Sequence, residues 1–416
     1  MWNLYDTLKH PSACVSNAAE GRAGRSMEDL PDELVLHILR HLSDGFALLD
    51  ALPLVCRRWH RLCQDVRLWS NVSADTRFWK AQDDPRLLLH APALRCLSLH
   101  RQTAKGIDKD CLPAAVGRSL AVVREAVTVT HGGLLRLGQQ GGGGLLALLW
   151  RSRHTLRRVL VPWADASLET PSHRLSFLEV LARIECLEVL HLHVGVKTVL
   201  QYSGQLGQDE ATVPLRELQI RACKAASKWT VQRAVPEDLV LDLVRRAGAG
   251  LRELRLDGRW PVPPRVLQQL DRSQLRDVSA HSSVLGMAAK ALRSVERLTL
   301  SVMLDQDGGA DDVDMEDPDA DSAGSDDEAD GLDDQPFQEF MADLRTSGMA
   351  LVSAALARCE AAASLRMLAL TVTDVDLAED ENFRVDCRKL VDAFKERRPL
   401  VQTQLDFHCT FRAEAY

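Results

Sequence analysis

The sequence predicts an α/β chain: a small three-helix module at residues 27–75, then a solenoid of alternating short parallel strands and helices over residues 86–416. Three observations predict it. Hydrophobic residues make up 46% of the 416 and charged residues 26%, the balance of a globular chain with a real core rather than one disordered throughout. Leu alone fills 66 positions while aromatics reach only 5%, so the core is built from one branched aliphatic side chain used repeatedly. A six-residue frame, apolar-x-x-apolar-x-apolar, also recurs along most of the chain.

Residues 1–26 read as a flexible tail. They lack the apolar run of a signal peptide, and Asp6 and Glu20 argue against a transit peptide. Nowhere does an apolar stretch approach the roughly 18 residues of a membrane span. The ten cysteines are dispersed with no C-x-x-C pair, which gives no zinc or redox signal and fits a reducing compartment. The expected location is cytoplasmic, nuclear or both.

The module begins at Leu30-Pro31-Asp32-Glu33. Proline suits the first helical position, where its missing N–H has no partner to lose, and the two acids complement the positive end of the helix. Leu34, Ile38 and Leu42 follow at four-residue spacing with Leu39 beside them, an apolar stripe that Ser43-Asp44-Gly45 ends. After Phe46, Leu48, Leu49 and Leu52 comes a second stripe, Val55, Trp59 and Leu62 at i, i+4 and i+7, and Trp69 closes the segment. A module this small buries a modest share of its surface alone. Its large apolar side chains are therefore candidates for burial against a second protein, each worth roughly 1.5–3 kcal/mol if fully removed from water.

The stretch LPDELVLHILRHLSDGFALLDALPLVCRRWHRLCQDVRLW resembles an F-box. Leu30-Pro31, Glu33, Leu34, Ile38-Leu39, Leu42, Leu48, Val55-Cys56-Arg57, Trp59, Leu62 and Trp69 stand where that family's pattern expects them, over about a tenth of the chain. The resemblance implies docking on a Skp-type adaptor, and through it on a cullin, in a ubiquitin ligase. It implies adaptor-facing roles for Leu30, Pro31, Leu34, Ile38, Leu42, Val55 and Trp59. Which of these residues face a partner and which face inward stays open at the level of sequence, with Trp59 and Trp69 the first candidates for core.

The recurrent frame starts at Leu94, Leu156, Leu187, Leu215, Leu251, Leu275, Val295 and Leu365. A worn copy, AVTVT at 126–130, divides the first long gap, and a degenerate one at Leu405-Asp406-Phe407 ends the array. Helical spacing lies between frames, as in Leu175, Leu178, Leu181 and Ile184, or in Leu239, Leu243 and Val244 behind Pro236-Glu237-Asp238. In each frame the last two apolar side chains point inward with period two while a helix covers the other side. The array resembles leucine-rich repeats, without their regular Asn or Cys after the frame.

Residues flanking the inward pair face out, on the surface where solenoids bind. His100, His191, His193, Gln219, Arg221, Arg255, Asp257 and His281 are the expected substrate-binding set, with Ser98, Ser279, Thr299, Ser301 and Thr371 beside them. The set is polar and mixed, which suits a protein surface or peptide. His191 and His193 alternate on one strand without a recognisable third ligand, so no metal is expected. Gly141 to Gly144 read as a turn, because no Gly-Lys-Ser/Thr follows to make a phosphate loop. Hydrolase, metalloprotease and kinase signatures are missing, and neither catalysis nor a cofactor is expected.

The last feature is an acidic insertion at residues 305–336. Its residues 305–334 carry fifteen Asp or Glu and no Lys or Arg, and removing those fifteen charges turns the net charge from −8 to +7. Such composition reads as a disordered insertion. It is a solvated spacer, a ligand for the basic body or a basic substrate, or an acidophilic kinase site at Ser325 ahead of Asp326-Asp327-Glu328. A basic body with scattered cations, few aromatics and no recognition motif makes nucleic acid an unlikely partner. The expected function is that of a non-catalytic substrate receptor of a Skp–cullin–F-box ubiquitin ligase, with an adaptor-binding scaffold that directs no ubiquitination as the alternative.

Overall fold

The computed structural model of the chain describes residues 27–42, 44–78, 86–100, 115–116, 118–129, 142–164, 177–194, 212–222, 237–287, 289–303, 335–373 and 380–408. These belong to two compact units, Met1–Leu42 and Ser43–Tyr416. The tail at 1–26 and the acidic residues 305–334 lie outside the described residues, as do Leu175, Pro236 and Gly141.

Within the first unit, helix α1 spans Asp32–Leu39. Pro31 stands at its N-cap with ψ 151°, one position earlier than the sequence suggested, and its carbonyl accepts from the Leu34 and Val35 amides. Asp32 and Glu33 occupy the first turn as expected.

The second unit opens with a π-type turn at Ala47–Ala51 and a 3-10 turn at Leu52–Leu54, then α2 at Arg57–Leu62 and α3 at Val66–Trp69. The expected continuous helix through Val55, Trp59 and Leu62 does not form. Cys56 is extended (φ −164°, ψ 168°), so Val55 falls on a separate turn and the i, i+4, i+7 spacing no longer defines one face.

Among the described residues eleven strands then form one sheet in which spatial order equals sequence order and every pairing is parallel. They are β1 Ser73–Asp75, β2 Ala93–Leu99, β3 Val122–Val129, β4 Arg158–Ala164, β5 Val189–Val194, β6 Glu217–Ala222, β7 Glu253–Leu256, β8 Asp277–His281, β9 Arg297–Met303, β10 Met367–Thr373 and β11 Gln402–His408. All eight frames run into strands β2 and β4 to β10, the worn copy lies largely in β3, and the degenerate one lies in β11. Strand β1 has no frame of its own. Its Ser-Ala-Asp is placed by pairing with Cys96 to Ser98.

Register turns the frame into a core. The fourth frame residues, Leu97, Val127, Val159, Leu190, Leu218, Leu254, Val278, Leu298 and Leu368, stand in line across nine strands and are all buried. The sixth form a second buried line from Leu99 to Leu370, and the leading apolar residue of each frame is buried as well. At roughly 1.5–3 kcal/mol per fully buried Leu or Val, these lines are the main favourable term in this unit.

Helices return the chain between strands: α4 Arg86–His90, α5 Gly142–Ser152, α6 Phe177–Ala182, α7 Glu237–Ala247, α8 Pro264–Leu270, α9 Ala289–Leu292, α10 Gln335–Glu360 and α11 Glu381–Arg397. Consecutive helices pack on one another, α5 on α6, α6 on α7, α7 on α8 and α10 on α11. The apolar spacing in α7 places Leu239, Val240, Leu243 and Val244 in the core, and its acids at the start and arginines at the end suit the macrodipole. Two expectations are corrected here. Gly142 to Gly144 are the first turn of α5 and not a loop, because the buried Leu145, Leu146, Leu148 and Leu149 carry the helix past the weak propensity of glycine. Gln335 and Pro336, read as the end of the acidic insertion, begin α10, where proline is well suited.

Candidate partner-docking surfaces

Helix α1 has two apolar faces. Val35, Leu36 and Leu39 are buried, whereas Leu34 is 50% and Ile38 43% exposed. The stripe read from the sequence is thus the outward one, with Leu30 and Leu42 half-buried at its ends and Pro31 exposed. A helix of eight residues with apolar side chains on both faces leaves about half of each outward leucine and isoleucine in water, which is unfavourable until something covers them.

In the second unit, Leu48, Leu62, Leu68 and Trp69 are buried and hold α2 and α3 in place. The Trp69 indole N–H donates to the Cys63 carbonyl at 2.7 Å, so its polar edge is satisfied inside. Asp65 caps α3 by accepting from the Arg67 amide at 2.8 Å, and the Arg67 guanidinium beside it holds the Asp65 carboxyl below its usual range. The 3-10 turn and the extended Cys56 push Leu54 and Val55 outward, 83% and 60% exposed, while Trp59 stays half-buried. Met27, Leu54 and Val66 are further exposed apolar residues, outside the stripes read from the sequence. Among the described residues eleven large apolar side chains stand out as exposed, and six of them, Met27, Leu34, Ile38, Leu54, Val55 and Val66, lie within residues 27–75. Met27, Leu34 and Ile38 belong to the first unit, and Leu54, Val55 and Val66 to the second.

The polar face of the sheet is different in kind. His191, Gln219 and Arg255 share one register line on β5, β6 and β7, and His193 pairs with Arg221 in the next. The side chains are mostly occupied with one another. His191 Nε2 lies 2.6 Å from Glu217, and Gln219 Nε2 lies 3.3 Å from His193 Nε2. Arg255 meets Glu253 at 3.2 Å and Asp277 at 3.5 Å, and Arg297 meets Asp277 at 3.2 Å. Burial, then the nearby Arg221 and His191, hold His193 below the usual histidine pKa, with Asp257 opposing. Gln219, expected to face a ligand, is buried among these neighbours.

The remaining predicted residues scatter. Asp257 follows β7 and binds Arg259 at 2.9 Å, and His281 Nδ1 accepts from the Ser283 amide at 3.1 Å, a turn-closing role. His100 follows β2, where its amide donates to Thr76 Oγ1 at 2.8 Å and its ring lies 3.4 Å from Asp75, with β3 and β4 between it and the β5 to β7 group. The Asp257 loop leans far over the sheet. A Cβ on Gly258 would lie 2.5 Å from Ser301 Cβ, so only glycine permits that approach. Among the described residues no three His, Cys, Asp or Glu side chains are grouped to hold a metal ion.

A family model described as F-box-like matches residues 27–75. F-box domains bind Skp-type adaptors, and the match therefore points to an adaptor-binding role in ligases of the Skp–cullin–F-box type. Comparison with curated proteins gives no match to the chain.

Proposed function

We propose that the chain is a substrate receptor of a Skp–cullin–F-box ubiquitin ligase, gripping the adaptor through residues 27–75 and holding a target on a leucine-rich-repeat-like sheet. The observation that carries this reading is that the residues matched as F-box-like include exposed apolar side chains in each unit, Leu34 and Ile38 in the first and Leu54 and Val55 in the second. The repeat assignment is supported by eleven parallel strands in sequence order, each joined to the next without a strand being skipped. The receptor has no active site of its own and works in the cytoplasm, the nucleus or both. Its mechanism is proximity: one chain holds both the target and the adaptor, which raises the effective concentration of target lysines near the attached transfer machinery. The test is co-purification of the full chain with adaptor and cullin, followed by ubiquitin transfer to co-purified proteins in the reconstituted complex. Adaptor capture without cullin, or without any transfer, would assign the chain a scaffolding role instead.

A further inference from the structure

From β4 to β10 the second residue of the frame stands just ahead of the strand, at the N-terminal lip of the sheet, and before β6, β7 and β8 it is Arg216, Arg252 and Arg276. Backbone bonds run directly through the three, from the Arg252 amide to the Arg216 carbonyl at 2.9 Å and from the Arg276 amide to the Arg252 carbonyl at 2.8 Å. They are therefore one strand apart, roughly 4.8 Å, and in register. All three are exposed, and among the described residues none of their side chains has a hydrogen-bond or ion-pair partner.

Elsewhere on the same lip equivalent arginines are answered. Arg95 meets Glu125 at 2.5 Å, Arg157 meets Glu188 at 3.4 Å, and Arg158 also binds Glu125. The carboxylates that follow the three arginines in sequence, Glu217, Glu253 and Asp277, belong to the polar face and are engaged by His191, Arg255 and Arg297. Arg216, Arg252 and Arg276 thus form a run of three like charges, with Glu188 and Glu296 one strand beyond its two ends and, among the described residues, no counter-charge between them, an arrangement that repels itself until an anion lies along it.

We propose that this lip docks an acidic peptide segment, rich in Asp and Glu, of the protein presented for ubiquitination. The inference rests on the proposed receptor function for the identity of its occupant. The pitch supports an extended peptide: the line from Arg216 to Arg276 covers roughly 10 Å, which three to four residues of extended chain span. Among the described residues only three cations stand in line and no aromatic side chain interleaves them, whereas single-stranded nucleic acid uses a stacking platform. Residues 305–334 of this chain carry the same chemistry, and the experiment includes a chain lacking them so that the two sources are told apart.

The experiment is fluorescence anisotropy with the full chain and a labelled ten-residue Asp/Glu peptide, against its Asn/Gln counterpart and a single-stranded oligonucleotide of equal charge. The acidic peptide binds and the neutral one does not, with affinity falling as salt rises from roughly 50 to 300 mM. The triple variant R216E/R252E/R276E loses at least about tenfold in affinity. The variant R388E/K389E/K395E, an equal charge change at exposed cations of α11, stays within about twofold because it leaves the lip intact. Should charge reversal disturb folding by circular dichroism, R216Q/R252Q/R276Q carries the same test with a smaller loss. Four results overturn the proposal: no binding by either the full chain or a chain lacking 305–334, equal losses in the lip and α11 variants, tighter binding of the oligonucleotide, or binding only after 305–334 is deleted, which would make that segment the occupant. No adaptor is present in the assay, so its failure leaves adaptor docking untouched.

Discussion

Leu34→Asp asks whether the outward face of α1 is a docking face. Half of the Leu34 surface is already out of water in the free chain. Complete burial of a leucine contributes about 1.5–3 kcal/mol, so covering the other half is worth about 1 kcal/mol, and Leu34→Ala weakens adaptor binding about fivefold. Aspartate adds the cost of stripping water from a carboxylate with no cation waiting for it, which raises the loss by several kcal/mol, beyond a hundredfold. In the free chain the same aspartate sits in water, and its poorer helix propensity costs only about 0.5 kcal/mol of stability. Leu39, buried on the opposite face, gives the reverse pattern: Leu39→Ala costs about 2–5 kcal/mol of stability. Biolayer interferometry on immobilised adaptor, run beside thermal unfolding of both variants, separates the two. Leu34→Asp binding within about threefold of the parent chain, or unfolding as readily as Leu39→Ala, would refute the assignment of faces.

Arg398 donates to the carbonyls of Glu360 at 2.7 Å and Ala362 at 2.9 Å, tying down the end of α10, so Arg398→Ala lowers stability by about 2 kcal/mol in urea unfolding; a change below about 0.5 kcal/mol would show those bonds to be replaceable by water. Burial of His193 lowers its pKa, so the unfolded chain takes up a proton that the folded one resists, and stability falls as pH drops below about 6.5. His193→Gln reduces that loss between pH 7 and 5 in melting temperature, and an unchanged slope contradicts the reading. Glu125, held low chiefly by its hydrogen bond from Arg95, acts in the opposite sense of charge and a lower window: its contribution is complete above about pH 4.5 and is lost as pH falls through the depressed pKa. Burial pushes the Cys63 thiol up to about 11 and those of Cys359 and Cys387 up to about 12, so brief iodoacetamide treatment at pH 8 labels exposed Cys56 ahead of all three; rapid labelling of Cys359 by mass mapping would contradict its burial.

The strands were legible because the frame combines two independent constraints, period-two burial within a strand and identical register between strands. Leu254 has to face the way Leu218 and Val278 face, and eight such frames leave little freedom. β1 escaped because Ser73, Ala74 and Asp75 carry no period of their own and become a strand only through Cys96 to Ser98. The break at Cys56 escaped for the converse reason: Val55, Trp59 and Leu62 satisfy helical spacing, while the tight turn at Leu52–Leu54 redirects the backbone between the first and the second. For the binding set, strand position identified the polar face but not its chemistry. Gln219 lies on that face and is nevertheless buried, since His193 closes over it.

Spacing locates apolar residues without saying which solvent-facing ones are surplus to the core, and α1 shows why. Leu34 and Leu36, or Ile38 and Leu39, are equivalent in hydrophobicity and lie within two residues of each other, yet in each pair one is exposed and one buried. A sequence pattern with apolar residues on both sides of a short helix is therefore informative in itself: the core can claim only one face, so the second face is a surface whose cover comes from outside the helix's own packing. The arginine lip follows the same logic in charge. Six of the nine second frame positions from Arg95 to Arg366 are arginine, and the three glutamates, Glu125, Glu188 and Glu296, interrupt the series everywhere except across β6, β7 and β8. Where the interruption fails, repetition alone accumulates a field that no single residue announces, and it is the register of the sheet that converts a recurring dipeptide into a line of charge.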